Sequence, residues 1–185
     1  MKLPLAFMAA AAIAGGVHAV ELNQVAAGKS QITFSARQMG VPVDGGFRKF
    51  DAQISIDPAR PENGKARMDV DLASIDAGSS EATAEVKKKD WLDIAAFPKA
   101  SFVASSVKPL GAGRYEARGL LSVKGVSRNI VVPFSIRSEG PGSWLEGGFA
   151  LPRLQFKIGE GTWGDTSTVA DEIQVKFKLF LSPNK

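Results

Sequence analysis

Hydrophobic and polar residues alternate with a period of two over most of the chain after residue 30. Ile32, Phe34 and Ala36, for example, are separated by polar or hydroxyl-bearing residues. Such alternation is typical of a β-strand with one buried and one solvated face. It predicts eight strands, at residues 31–37, 49–56, 65–72, 99–107, 115–124, 129–137, 145–152 and 172–181. Most of the connections have hairpin length and carry turn-forming residues, so the strands are expected to pair antiparallel.

One segment departs from the alternation. Residues 81–89 are polar and predict a short helix, for which Ser79 or Ser80 can serve as the N-cap. An apolar stretch that begins at Trp91 follows, and Pro98 ends it. We therefore expect one short helix between the third and fourth strands, with the aromatic stretch closing one end of the fold.

A sheet with one apolar face must bury that face, either in a sandwich or in a closed barrel. Several predicted strands are about ten residues long, roughly 30 Å, and such long strands favour the barrel. The expected fold is all-β: an eight-stranded antiparallel barrel with the helix inserted between strands three and four. A barrel of this size either fills itself with side chains or holds one small ligand.

The apolar faces include small residues that would leave room inside the barrel: Ala36, Ala52, Ala66, Ala117, Gly119 and Gly147. The same residues would leave no room if they lay where the barrel tapers, or opposite the large rings of Phe34, Phe50, Phe134 and Phe149. The pattern alone does not decide between a hollow and a filled interior.

The first 19 residues have the three parts of a secretory signal peptide. Lys2 supplies the positive charge, residues 3–17 are apolar, and a small-x-small site ends at Ala19. Cleavage is predicted after Ala19. Residues 1–19 are thus expected to be removed, and residues 20–185 to form a single exported domain.

The chain has no cysteine, and its single histidine, His18, lies in the predicted signal peptide. This excludes nucleophile systems built on His or Cys and metal sites with nitrogen or sulfur ligands. An enzyme is not expected, and neither a cofactor nor a metal is predicted. The net charge of +4 is modest, and residues 87–89 form the only basic run, so nucleic-acid binding is not expected. Pairing of these lysines with Glu85 is the preferred interpretation; attraction to an anionic membrane surface is the alternative.

Three segments resemble a known family. Residues 43–50 (VDGGFRKF) resemble its V-x-G-x-F-x-x-F strand, and residues 90–102 (DWLDIAAFPKASF) its D-F-F-D…P-x-x-x-F segment. Residues 119–128 (GLLSVKGVSR) resemble its G-x-L-T-x-x-G-x-T-[KR] hairpin. The family is the YceI-like family of exported bacterial proteins, which have a lipocalin-like barrel and bind polyisoprenoid lipids. Its members often have a histidine after the first serine; here Gln31 follows Ser30, so head-group contacts made by that histidine do not transfer.

The resemblance implies a lipocalin-like barrel in the periplasm with an apolar tunnel for a prenyl tail. The implied function is transport, storage or sequestration of an isoprenoid quinone or a prenyl phosphate. The candidate ligand-binding residues are Phe34, Phe50, Met68, Trp91, Leu92, Phe97, Phe102, Phe134, Phe149 and Phe177. For each of them, ordinary core packing is the alternative. Trp91 is the strongest candidate, because its ring is apolar and its N–H is polar.

Arg48 and Arg153 are the candidate head-group residues, since each shares the parity of an apolar strand position. Their alternative is an exposed arginine beyond the end of a strand. The expected partner is the lipid, with transient contact with a membrane surface, and the protein is expected to be a monomer or homodimer. The second functional hypothesis is a non-enzymatic, stress-related envelope interaction protein whose barrel is filled by its own side chains.

Overall fold

The computed structural model describes residues 21–183; the predicted signal peptide lies outside this range. Eleven strands form one sheet: β1 Leu22–Val25, β2 Gln31–Gln38, β3 Val41–Phe47, β4 Phe50–Ser55, β5 Lys65–Asp71, β6 Ile75–Asp76, β7 Lys99–Gly111, β8 Arg114–Val123, β9 Val126–Glu139, β10 Gly142–Pro152 and β11 Glu172–Pro183. The α-helix of this range, α1, spans Ser80–Val86. None of the helices within residues 21–183 is long and apolar enough to cross a membrane.

The sheet curls into a barrel-like wall. Its strand order is β4-β5-β7-β8-β9-β10-β11-β2-β3-β6, and neighbouring strands pair antiparallel. β1 pairs with β11 and also reaches the β4 edge, where Leu22 and Ile56 exchange both backbone hydrogen bonds, at 3.0 and 3.1 Å. The prediction of an all-β antiparallel barrel is confirmed. The strands of residues 21–183 form one sheet, not the two packed sheets of the alternative sandwich.

The eight predicted strands correspond to β2, β4, β5 and β7 to β11, and the structure adds β1, β3 and β6. Residues 41–47 lie between the first two predicted strands and were not assigned to a strand by the alternation, but they form β3. Gly45 lies directly opposite Phe34 in the β2–β3 ladder. A Cβ atom at Gly45 would collide with Cζ of Phe34, so this glycine marks the close approach of a ring rather than a turn.

The helix lies between β5 and β7, which are the third and fourth predicted strands, and is shorter than predicted. Ser79 is its N-cap, with Oγ accepting a hydrogen bond from the backbone N–H of Ala82 at 3.1 Å. Beyond its C-terminal end, Nζ of Lys88 pairs with Glu85 at 2.5 Å. The preferred interpretation of the basic run is therefore confirmed for Lys88.

The buried apolar residues form two clusters. One lies around Ile56, Leu179 and Leu181, where β1 joins the β4 edge to β11. The other includes Trp91 and Phe156, and thus connects the segment after α1 with the segment after β10. The inward faces of the strands contribute to both clusters, and the space that they leave unfilled is the candidate site.

Candidate ligand-binding cavity

The curled sheet and α1 enclose a cavity of about 600 Å³. This volume falls within the range of known ligand pockets. A smaller cavity of about 100 Å³ adjoins it, and Met68, Phe102, Phe149 and Phe177 line both. These four side chains therefore divide one apolar lumen into two compartments. The alternative of a barrel filled by its own side chains was wrong.

Aromatic rings lie flat against the wall over glycines, which keeps the lumen open. Gly147 on β10 lies opposite Phe177 on β11, and a Cβ atom there would be 2.6 Å from Cζ of Phe177. Phe102 on β7 lies diagonally across from Gly119 on β8, and a Cβ atom at Gly119 would also be 2.6 Å from Cζ of Phe102. Gly147 also pairs with Phe134 on β9. The large rings that lie over these glycines therefore do not fill the barrel. Each ring lies in the space that a side chain at the glycine would occupy.

The inward-facing rings are only partly buried, although they belong to the interior. Phe34, Phe102, Phe149 and Phe177 each keep an intermediate exposure. Each of them also lines the main cavity. Part of each ring therefore borders empty space rather than another side chain, as expected for the wall of a binding site.

The mouth of the cavity lies between the end of β2 and the start of α1. Only three of the lining side chains are exposed: Gln38, Ser79 and Glu81. Glu85, on the next turn of α1, also lines the cavity. No lysine or arginine among residues 21–183 does so. The wall is thus apolar, with carboxylates and hydroxyls concentrated at one rim.

Glu85 connects the helix to the segment before β11. Nε1 of Trp163 donates a hydrogen bond to Oε1 of Glu85 at 3.2 Å, while Lys88 pairs with Oε2. The hydrogen bond from Lys88, its positive charge and the hydrogen bond from Trp163 hold the pKa of Glu85 below its usual value of 4.5. Glu85 is therefore ionised at neutral pH, and its contact with Trp163 holds α1 over the cavity.

Trp91 forms part of the wall beneath α1. It is 8% exposed and packs against Trp163, with ring centroids 5.4 Å apart. Its Nε1 has no hydrogen-bond partner among residues 21–183. The Nε1 atom is also closed off from the cavity, so Trp91 contributes the apolar part of its ring to the wall.

Arg153 requires a correction, because its predicted position at the exposed mouth was wrong. The side chain is 0% exposed, and burial lowers its pKa. A guanidinium has five N–H donors, and all five are used at distances between 2.7 and 3.1 Å. The acceptors are the backbone carbonyl oxygens of Ile158, Gly159, Trp163, Val169 and Ala170. Arg153 therefore organises this loop and has no donor left for a head group.

Arg48 lies between β3 and β4 and is exposed, where its Nη2 pairs with Asp76 at 2.6 Å. It does not line the cavity, so the alternative of a surface arginine is the one that the structure supports. Residues 21–183 contain no group of three or more His, Cys, Asp or Glu side chains that could hold a metal ion.

The other candidate residues divide into three groups. The main cavity is lined by Phe34, Met68, Trp91, Leu92, Phe102, Phe149 and Phe177. Phe134 lines the smaller cavity. Phe50 packs on a core cluster and Phe97 covers Gly125, and neither borders a cavity.

Sequence reasoning missed Phe47 and Trp163 among the lining residues. Phe47 lies within the family-like segment 43–50, and the aromatic position of that motif could have indicated it. Trp163 belongs to a 3₁₀ turn, Gly161–Gly164, where no strand or helix period exists to assign a face.

A curled antiparallel sheet that surrounds one apolar cavity, with a helix at the rim, defines a barrel of the ligand-binding class. The chain belongs to the YceI-like domain family, whose model matches residues 24–181. Its fold is similar to that of BcnA of Burkholderia cenocepacia, with a TM-score of 0.83 and 39% identity over 85% of this chain and 99% of that one.

Two more distant structures show the fold alone. A YceI protein of Campylobacter jejuni has a TM-score of 0.69 and 21% identity, over 76% of this chain and 84% of that one. A polyisoprenoid binding domain from Saccharophagus degradans, implicated in plant cell wall breakdown, has a TM-score of 0.67 and 14% identity, over 89% of this chain and 99% of that one.

Among sequence relatives, a UPF0312 protein of Azotobacter vinelandii is 32% identical over 120 residues, which cover 62% of each chain. A UPF0312 protein of Pseudomonas savastanoi is 33% identical over 102 residues, covering 55% of this chain and 53% of that one. The matches thus span less than two thirds of the length of these relatives.

Proposed function

We propose that the protein is an exported, non-enzymatic binding protein that carries a polyisoprenoid lipid in its cavity. The observation that carries the proposal is the apolar cavity of about 600 Å³, whose polar residues lie mainly at one rim. A guest that is mostly hydrocarbon with one polar end matches this distribution. The family and the polyisoprenoid binding domain of similar fold support the same ligand class. The predicted signal peptide favours the periplasm as its location.

The charges at the mouth favour a neutral head group. Glu81 and Glu85 are the acidic residues of the wall, and no cation among residues 21–183 lines it. A prenyl phosphate would place like charges together, whereas phosphate sites are normally built with arginine or lysine. Of the two lipid types considered, an isoprenoid quinone therefore fits this cavity better.

A long tail needs both compartments of the lumen. Phe102 and Phe177 lie over Gly119 and Gly147 at the boundary between them. Rotation of these rings would join the smaller cavity to the main one. The hydrocarbon tail is thus expected to extend from the mouth toward the β1 end of the barrel.

The test is extraction of the purified exported protein with organic solvent, followed by mass spectrometry. We expect one prenyl lipid at close to one molecule per protein. Ala100 lines the cavity, so Ala100→Phe should fill it and abolish co-purification. Val103, on the same strand, is exposed, and Val103→Phe is the matched control that should retain the lipid. Absence of a prenyl lipid from the unmodified protein, or its full retention by the Ala100→Phe variant, contradicts the proposal.

A further inference from the structure

The turn between β2 and β3 presents apolar side chains to solvent beside the mouth of the cavity. Gln38 is one of the three exposed residues of the lining, and Met39 follows it directly. Met39 is 73% exposed and Val41 is 63% exposed, the highest values for large apolar residues within residues 21–183. The rim therefore carries a solvent-exposed apolar tip, formed by Met39 and Val41. No packing contact within the fold explains why apolar residues occupy these positions.

The tip is held in a fixed conformation. Gln38 pairs with Val41, and the two residues between them, Met39 and Gly40, have φ values of +48° and +80°. Two-residue turns of this kind favour Asn-Gly, and an unbranched apolar residue gains nothing from the left-handed conformation. The backbone N–H of Met39 donates to the carbonyl of Thr168 at 2.8 Å, which anchors the turn to the segment before β11, the strand next to β2.

The apolar wall of the cavity continues onto this tip. Val43 lines the cavity, and Val41 lies two residues before it on the same strand. Side chains two apart on a strand share a face, so Val41 extends the lining beyond the mouth. A hydrocarbon chain could pass from Val41 to Val43 without leaving an apolar surface.

We propose that Met39 and Val41 dock the mouth onto a phospholipid bilayer, from which the guest enters the cavity. This inference rests on the proposed function, since a prenyl lipid resides in a membrane before it is carried. We assign a bilayer as the binding partner because the tip is small and continuous with the apolar wall of the cavity. Exposed apolar side chains insert at the boundary between the head groups and the acyl chains of a bilayer.

The contact is mainly apolar. Arg37 is an exposed cation beside the tip and donates to the carbonyl of Gly40 at 3.3 Å, while Glu81 places an acidic group at the rim. Lys88 of the basic run already pairs with Glu85. Docking is therefore expected on zwitterionic membranes, and acidic lipids should speed transfer by no more than about fivefold, the effect of a single basic residue near a membrane surface.

The test measures transfer of ubiquinone-8 from phosphatidylcholine vesicles to delipidated protein, with the two separated by flotation. The double variant Met39→Asn with Val41→Thr removes the apolar tip and keeps a favoured turn sequence and a β-branched residue. We expect its initial transfer rate to fall roughly tenfold, a loss of about 1.4 kcal/mol in the docking step. Its loading with ubiquinone-8 from detergent micelles should equal that of the unmodified protein.

Two control variants make the result specific. Val103→Thr with Leu120→Thr removes exposed apolar surface from a paired position on the outer wall, and transfer should be unchanged. Replacement of Lys87 and Lys89 by Ala, with Lys88 kept for its pair with Glu85, should also leave transfer unchanged, with or without phosphatidylglycerol in the vesicles.

Three outcomes overturn the inference: an unchanged rate for the tip variant, slower transfer for the lysine variant alone, or loading from micelles with no transfer from vesicles. The last result would indicate a protein partner as the donor. Failure of the unmodified protein to load even from micelles would instead reject the proposed function.

Discussion

The guanidinium of Arg153 lies against the indole ring of Trp91, with its Cζ atom 5.6 Å from the ring centroid. Arg153 is bonded to the backbone carbonyls of the loop after β10, while Trp91 belongs to the cavity wall. A buried cation over an aromatic face is stabilising. The contact therefore fixes the position of the cavity wall through a residue that does not touch the cavity.

Replacement of Arg153 should destabilise the fold rather than act first on ligand binding. Arg153→Met removes the donors of five carbonyl oxygens, and a buried group left without its partner costs on the order of 1–3 kcal/mol. Allowing for relaxation of the loop, we expect the free energy of unfolding to fall by about 3 kcal/mol or more. Urea denaturation followed by tryptophan fluorescence measures this change.

Arg128 provides the matched control for this variant. It is exposed and donates to a single carbonyl in the same region, that of Gln155. Arg128→Met should change stability by less than about 1 kcal/mol. If Arg153→Met instead leaves stability unchanged and weakens ligand binding, Arg153 acts on the head group as the sequence suggested.

The ring of Trp91 should contribute to lipid binding through its apolar surface, since it lines the cavity while its N–H is closed off from it. Trp91→Phe keeps an aromatic ring and removes a buried donor that has no partner among residues 21–183. We expect affinity for an isoprenoid quinone to fall by no more than about threefold, because no hydrogen bond to the head group is lost. Affinity for squalene, which has no head group, should fall by a similar factor. A loss confined to the quinone would show that the N–H of Trp91 reaches the head group.

The rings that lie over glycines make those glycines sensitive to substitution. A Cβ atom at Gly147 would be 2.4 Å from the backbone oxygen of Pro133, 2.6 Å from Cζ of Phe177 and 2.8 Å from Cβ of Phe134. Gly147→Ala should therefore lower the free energy of unfolding by about 1–3 kcal/mol and move a ring into the lumen, reducing lipid capacity.

Gly28 is the control for this substitution, because a Cβ atom there meets nothing within 4 Å and its φ is not positive. Gly28→Ala should be neutral or slightly stabilising. A Gly147→Ala variant with unchanged melting temperature and unchanged lipid content would reject the role assigned to this glycine.

Strand alternation predicted most of the wall because each residue on a half-buried strand reports its own face. It missed β3, where two glycines interrupt the alternation. Gly45 has no side chain to indicate a face, and in the structure the ring of Phe34 covers it. The real turn at Met39 has no typical turn residue before its glycine.

The residues of the candidate site were predicted where they lie on regular strands and missed where they lie in irregular loops. Phe34 and Phe177 line the cavity as expected, since strand parity points both rings inward. The role of Arg153 depends on carbonyl groups that converge from residues up to 17 positions away, and the conformation of that irregular loop is not encoded by a local period. Export and lipid identity stay predictions.

The pairing of Glu85 with Lys88 and Trp163 should make the position of α1 sensitive to acid. These hydrogen bonds hold the pKa of Glu85 below 4.5, its value in the unfolded chain. Their stabilising effect is complete above about pH 4.5 and is lost as the pH falls through the lower, folded value. Hydrogen exchange of residues 79–92, corrected for the intrinsic rate at each pH, should therefore increase in acid.

In the Glu85→Gln variant, these residues should exchange faster at neutral pH and depend less on pH. The control is Glu62→Gln, on a separate 3₁₀ turn, which should behave as the unmodified protein does. If Glu85→Gln keeps the full acid response, another carboxylate controls the helix, and the contact between Glu85 and Trp163 does not hold α1 over the cavity.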